Sequence, residues 1–492
     1  MNLSRAFLPA FLVLASYTRP TQQAAPASDL TVVGVRPAAR TIGAPVGASI
    51  RVQFDRAVDR STITSEAFSA FGRWSGPASG TLSFANQDRT VILRPSQTFS
   101  AGEQVMVLLS NQIRAADGSA LRSAGYSFQF WTRAAPTSMR FSLADVLSTR
   151  SFSNQPTQAY GGVATDFNND GWLDLTIVNE ITADLRVFLN RADGSGLFND
   201  FIEPTFPVGD RASPSEASDF NRDGNSDLAV ANIDANSVSI VLGNGDGTFA
   251  PQQEVPVGAA PRGIAVLDAD GDGDADIVNT NSEGAGSLSL LVNGGNGVFS
   301  RPVFFEGGWD NEWALAAADM NEDGILDLVI GAQDLSGPAI LVNTGIGDGT
   351  FSFASSQSAG GAVWMLNVSD VNGDGHDDVV TANSLNNNGA ILLGDGLGRL
   401  AAPTLVPLDP FPLATDLGDV DGDGDLDWAT SSFSGDWWLL TNNGAGQFTL
   451  AREFPSTSAA SCALFFDSDN DGDLDLALID EIADQVVLVR TR

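Results

Sequence analysis

From about residue 160 onward, short apolar runs alternate with polar breaks at a steady interval. Gly263 to Leu267, Leu228 to Ala231, Ser237 to Leu242 and Ala339 to Val342 are representative runs. They are short, often β-branched and bounded by Gly and Asn, which predicts strands rather than helices. Each interval has one layout: a run, an acidic loop, two further runs, a Gly/Asn-rich turn such as GNGDGTF, NGGNGVF or NNGAGQF, and a fourth run. Four strands in about 50 residues is the size of a propeller blade. Residues 29–135 carry a different pattern. Ile50, Val52 and Phe54 alternate with polar residues, as do Val105, Val107 and Leu109, and Phe128 with Phe130. Several such strands in about 100 residues predict a small β-sandwich.

The acidic loop is the repeat's most specific element. D-x-[DN]-x-D-G-x-x-D occurs seven times, at intervals of 53, 49, 51, 51, 49 and 48 residues. Oxygens at positions 1, 3, 5 and 9, with the carbonyl at position 7, can surround one hard cation, and Gly at position 6 permits the sharp turn. The predicted ligands of the first loop are Asp166, Asn168, Asp170, the Trp172 carbonyl and Asp174. Those of the second are Asp219, Asn221, Asp223, Asn225 and Asp227, and of the third Asp268, Asp270, Asp272, Asp274 and Asp276. The fourth loop offers Asp319, Asn321, Asp323, Ile325 and Asp327, and the fifth Asp370, Asn372, Asp374, His376 and Asp378. The sixth offers Asp419, Asp421, Asp423, Asp425 and Asp427, and the seventh Asp467, Asp469, Asp471, Asp473 and Asp475. Calcium accepts six to eight oxygens in loose geometry, so about seven Ca2+ ions, one per blade, are expected. The loop is not an EF-hand, since position 12 lacks the bidentate Glu and is Ile177, Val230, Asn279, Ile330, Thr381, Thr430 or Leu478. Asx-rich turns without metal are the plainer alternative.

The ends of the repeat predict a closed ring. After the seventh loop, two strands follow, Leu474 to Ile479 and Gln485 to Val489. Met139 to Leu147 resembles the outer strands elsewhere and is expected to complete the last blade, hiding the sheet edges. The fold class is therefore all-β: a seven-bladed β-propeller with calcium-binding loops over residues 139–492, preceded by the sandwich.

Charge reinforces the cation reading. The 492 residues include 25 Lys plus Arg, every one of them arginine, against 61 Asp plus Glu, for a net charge of −36. Nucleic acid and anionic membrane surfaces are disfavoured as partners. Arg5 followed by the apolar stretch Ala6 to Ala15, then small residues near Ala24 to Ser28, predicts a signal peptide over residues 1–27 and a secreted or cell-surface protein. No segment is long and apolar enough to span a bilayer.

Seven such loops at this period, followed by L-x-N/G-x-G-x-G-x-F turns, make residues 140–492 resemble the FG-GAP/VCBS repeat family. The resemblance implies an integrin-α-like propeller whose ligands often bind on the face opposite the calcium loops. The family includes adhesins, lectin-like propellers and large surface proteins, and a minority are enzymes, including some lyases. Residues 29–135, with RVQFDRAVDRSTITSEAF, GTLSF, TVILRPSQTFSAGEQVMVLL and YSFQFWT, resemble bacterial SbsA-type Ig-like domains, for which a spacer or stalk is the expected role.

No common catalytic constellation is present. The single histidine, His376, sits inside a loop, lysine is absent, and the single cysteine, Cys462, lies in an apolar run. The chain is expected not to be an enzyme. The candidate ligand residues precede the first strands of the blades: Trp309, Asp310, Glu312 and Trp313, then Trp364, Arg262 and Arg211. Aromatics beside charged groups suit sugar rings, and the same tryptophans would equally serve as packing between blades. The expected function is a monomeric calcium-dependent recognition or adhesion protein for an extracellular glycan or protein. A structural matrix component, or a lyase or hydrolase acting on carbohydrate, is the alternative.

Overall fold

The computed structural model describes residues 29–284, 287–333 and 339–492, and the expected signal peptide at 1–27 lies outside them. The described residues form nine four-stranded sheets, with one 3-10 turn at Arg60–Thr62. Two of the sheets make the N-terminal sandwich. Ile50–Phe54 and Thr90–Pro95 are central in one, and Phe68–Gly72 and Gln104–Leu109 in the other. Ile50, Val52 and Phe54 point into a core shared with Val105, Val107, Leu109, Phe128 and Phe130, as the alternation requires.

The other seven sheets are propeller-like. Their first strands are Ala159–Thr165, Ala212–Ser218, Ala259–Leu267, Glu312–Ala318, Val363–Ser369, Pro412–Gly418 and Ala460–Phe466. Each meets the first strand of the next sheet, and the seventh meets the first, so the sheets surround a central channel. In six sheets strand order is chain order. The seventh takes its outer strand, Ser142–Ser148, from before the first sheet, pairing it antiparallel with Gln485–Arg490. Apolar side chains fill the spaces between neighbouring sheets, for example Phe167, Val178 and Val187 against Leu228 and Val230. The second strands, such as Asp174–Asn179 and Asp227–Asn232, are buried at every position because a sheet covers each face.

The sandwich is not a free spacer or stalk; it caps the loop side of the ring. Trp74, 2% exposed, joins the core of the first and seventh sheets, and Trp131 joins that between the fifth and sixth. The Trp74 carbonyl accepts from Asp166 N (3.0 Å) and Thr165 Oγ1 (2.6 Å). The buried Glu103 carboxylate accepts from Trp74 N (2.7 Å) and Ser75 N (2.8 Å), fixing the hairpin that inserts. The cap's backbone bonds the loops directly: Asn111 N to Gly271 O (2.7 Å), Ser127 N to Gly324 O (2.8 Å) and Ala135 N to Gly472 O (2.7 Å). Arg122 gives Nη1 to Asp323 O (2.6 Å) and Nη2 to Gly324 O (2.7 Å).

Candidate metal loops and channel mouth

Every loop is held by its own aspartates. In the first, Asp166 accepts from Asp170 N (3.2 Å) and Gly171 N (2.8 Å), and Asp174 accepts from Phe167 N (3.1 Å) and Asn190 N (2.8 Å). The position-5 carboxylate accepts from the position-7 N–H in all seven copies: Trp172, Asn225, Asp274, Ile325, His376, Asp425 and Asp473. The position-9 carboxyls lie deep. Burial, chiefly, with the other loop aspartates adding to it, pushes Asp174, Asp227, Asp327 and Asp427 up to about 8.

These residues fit a hard cation. Where position 3 is Asp, three carboxylates offer one oxygen each within 4.8 Å of one another: Asp268, Asp270 and Asp276; Asp419, Asp421 and Asp427; and Asp467, Asp469 and Asp471. Buried oxygens there, Asp419 Oδ1, Asp467 Oδ1 and Asp469 Oδ1, have no hydrogen-bond partner. Oxygen-only donors with unanswered negative charge match calcium chemistry. Where position 3 is Asn, its amide donates to the position-5 carboxylate instead, as Asn168 Nδ2 does to Asp170 Oδ2 (3.0 Å) and Asn221 Nδ2 to Asp223 Oδ2 (2.8 Å).

The loops are also tied to one another, which sequence reasoning missed. The position-4 side chain of one loop reaches position 6 or 7 of the next. Asn169 Nδ2 donates to Asn225 Oδ1 (2.8 Å), Arg222 pairs with Asp274, Glu322 Oε1 meets His376 Nδ1 (2.5 Å), and Asn470 Nδ2 donates to Gly171 O (2.9 Å). In the third, fifth and sixth loops position 4 is glycine: Gly271, Gly373 and Gly422. Two of these lie against the cap, since an added Cβ would overlap residues 123–125 at Gly271 and Pro136 at Gly422. The signal was the identity of position 4 read against position 7 of the following repeat.

At the other end of the first strands, the channel narrows to a mouth. The residues six before each loop's first aspartate are Tyr160, Ser213, Arg262, Trp313, Trp364, Leu413 and Ser461. Four of them are linked. Trp364 Nε1 donates to Tyr160 Oη (2.8 Å), from the fifth sheet to the first. Trp313 and Trp364 have ring centroids 4.5 Å apart, and the Arg262 guanidinium lies 3.5 Å from the Trp313 ring centroid. Phe411 extends the aromatic arc, 5.4 Å from Trp364, and Phe433 continues it. Opposite this arc, Gln158 Nε2 donates to Glu180 Oε2 (2.7 Å) and Glu481 Oε1 (2.8 Å), and Arg211 lies 3.7 Å from Glu180. Burial pushes the Glu481 carboxyl up to about 7. Gln158, Arg211, Ala260, Asn311 and Phe411 share one position, eight before the loop, and all have φ between 51° and 62°. Five of the seven repeats thus hold a non-glycine residue in the left-handed region there, a recurring feature of the scaffold around this opening.

Of the candidate ligand residues, Trp313, Trp364 and Arg262 come together at the mouth, with Arg211 on the sheet next to that of Arg262. Trp309 is 36% exposed, and it and the exposed Asp310 lie on the loop entering the fourth sheet. Glu312 is corrected: it is fully buried, accepts from Trp309 N (3.2 Å) and fixes that loop from below. Trp428 and Trp437 are core residues. Tyr160, Gln158, Glu180 and Glu481 were missed, although counting back from the loops would have found the first two.

Between mouth and cap the channel holds a cavity of about 250 Å³. Asp416 Oδ1 accepts from Arg73 Nη1 of the cap (2.8 Å), while Glu216 faces the cavity.

The FG-GAP-like repeat matches residues 166–230, 219–279, 268–330, 370–430 and 419–478, more than half of the chain. The bacterial Ig-like domain matches residues 26–132. No curated protein matches. Among solved structures, BBS1N in complex with ARL6DN is 12% identical over 70% of this chain and 97% of that one, with a TM-score of 0.50. A streptogramin B lyase is 13% identical over 73% and 100%, at 0.48. An Agrocybe aegerita lectin with specific recognition of non-reducing terminal N-acetylglucosamine is 15% identical over 92% and 100%, at 0.45. At 12% identity, the likeness to BBS1N is one of fold alone.

Proposed function

The chain belongs to the FG-GAP-like repeat family, with a bacterial Ig-like domain in front, and from that premise we propose that it is an exported, calcium-loaded recognition protein that binds an extracellular glycan or protein at the channel mouth and does not catalyse. In this reading the seven sheets are seven blades, and each loop holds one calcium ion through positions 1, 3, 5, 7 and 9. Bound calcium supplies the positive charge that the buried carboxylates lack, and so fixes the loops on which the cap rests. The protein works as a monomer.

The observation carrying the recognition reading is the asymmetry of the mouth. A sevenfold scaffold presents an aromatic arc of Trp313, Trp364 and Phe411 on one side and Gln158, Glu180, Arg211 and Glu481 on the other. Rings that stack and polar groups that hydrogen-bond are the two halves of sugar recognition. The test is a glycan array probed with the calcium-loaded protein and again after chelation. Selective binding lost with calcium supports the reading, and a blank array with folded protein removes the glycan assignment.

One observation favours the enzymatic alternative. Glu180 and Glu481, two carboxyls at one opening, share the Gln158 amide, and paired carboxyls are the machinery of glycoside hydrolysis. Product formation from an array-positive glycan, lost in Glu481→Gln, would establish that alternative.

A further inference from the structure

In a protein of net charge −36, Arg262 places a guanidinium at the channel mouth, on the ring of Trp313. Among the described residues, no carboxylate oxygen lies within 4.0 Å of Arg262. Its head group stacks on Trp313 and makes one long hydrogen bond, Nε to Ser282 Oγ (3.3 Å). Stacking fixes the plane of the fork and leaves its edge for a ligand. Arg211 stands on the neighbouring sheet; burial and then the Arg211 charge push the Arg262 pKa down, against Tyr160, Glu180 and Glu283, which push it up. Arg211 reaches Glu180 and Asp234 only at 3.7 and 3.8 Å, beyond hydrogen-bonding distance, and its side chain is 46% exposed. Two guanidiniums with unused hydrogen-bond donors, on neighbouring sheets at one opening, can hold an anion between them.

Resting on the glycan reading above, we propose that the mouth takes an acidic sugar, a uronate-bearing oligosaccharide, with its carboxylate held between Arg262 and Arg211. The aromatic arc from Trp364 to Phe411 and Phe433 receives the apolar face of a neighbouring ring. Gln158 and the carboxyls of Glu180 and Glu481 meet hydroxyls.

The test titrates the full-length, calcium-loaded protein with uronate tetrasaccharides and with the same sugars after reduction of their carboxyls to alcohols. The expected result is binding weakened by about 10- to 100-fold on reduction, the scale of a lost charge-assisted pair. Arg262→Gln and Arg211→Gln should lose the same factor for uronates and little for reduced sugars, with melting temperatures verifying the fold. Because Arg211 is half-exposed, its variant tests the proposal even if Arg262→Gln disturbs Trp313. Equal binding of reduced sugars overturns the acidic-sugar inference and leaves glycan recognition intact. Uronate binding undiminished in both variants assigns the carboxylate to another site, such as bridging by calcium, and also overturns it. Failure of every sugar to bind overturns this inference and the glycan reading together, as does binding only to peptides with a free C-terminal carboxylate.

Discussion

Glu216 projects from the second inner strand into the channel. Its side chain is open to the channel, yet enclosure by the ring pushes the carboxyl, ordinarily near 4.5, up to about 7, with Arg73 opposing the rise and Asp416 adding to it. A raised carboxyl favours the folded state when protonated. Its contribution to stability is therefore full below about pH 4.5 and is lost as pH rises through about 7. Glu216→Gln should leave the melting temperature unchanged at pH 4.5 and raise it at pH 8, measured by calorimetry at fixed calcium. Trp74 tests the cap in the same residue-level way. Its side chain fills a space between the first and seventh sheets, so Trp74→Ala should cost about 3–5 kcal/mol in denaturant unfolding. A loss below about 1 kcal/mol would mean that the insertion contributes little to holding the cap on the ring.

Between elements, the fourth loop position decides how repeats meet. Gly373 and Gly422 occupy it with φ of 74° and 73°, but Gly422 lies under Pro136, while the nearest atom to a Cβ on Gly373 is Gly444 O at 3.6 Å. Gly373→Ala should cost about 1–2 kcal/mol for the left-handed backbone alone. Gly422→Ala should cost more, because the linker must also move; equal losses in thermal melts would show that the linker yields freely. This contrast also marks what the sequence could reveal. The loops, the inner strands and the outer strand borrowed from Ser142–Ser148 were legible, because each repeats a local pattern seven times. The ties between loops were not, because Asn169 and Asn225, or Glu322 and His376, stand in different repeats and pair only once the ring curves. Docking of the cap was hidden for another reason: Trp74 and Trp131 read as ordinary sandwich residues, and nothing in a β-pattern tells an inward tryptophan from one aimed at a neighbour. At the mouth, Trp313, Trp364 and Arg262 were visible as unusual residue types. Tyr160 was not, since only its place six residues before a loop connects it with them.

For the whole molecule, the calcium proposed for the loops would be the largest single lever. With extracellular-type sites of about 0.1 mM affinity and about 1 mM calcium, each ion would add roughly 1.4 kcal/mol, and seven together roughly 10. Chelation should lower the melting temperature markedly and restore to solution the repulsion among the loop carboxylates; an unchanged melt would remove calcium from the account. Ring closure sets a different constraint, one of time. The strand Ser142–Ser148 leaves the ribosome before any of the seven sheets, yet its partner Gln485–Arg490 is made after all of them. Until that partner is made, the strand's pairing edge is unsatisfied while six sheets assemble beside it. Closure also brings Arg492 O to Ser138 N, which ties down the linker to the cap. Completion of the ring and seating of the cap are thus coupled, and a chain whose seventh sheet has not yet formed presents its open edge to whatever strand it meets first.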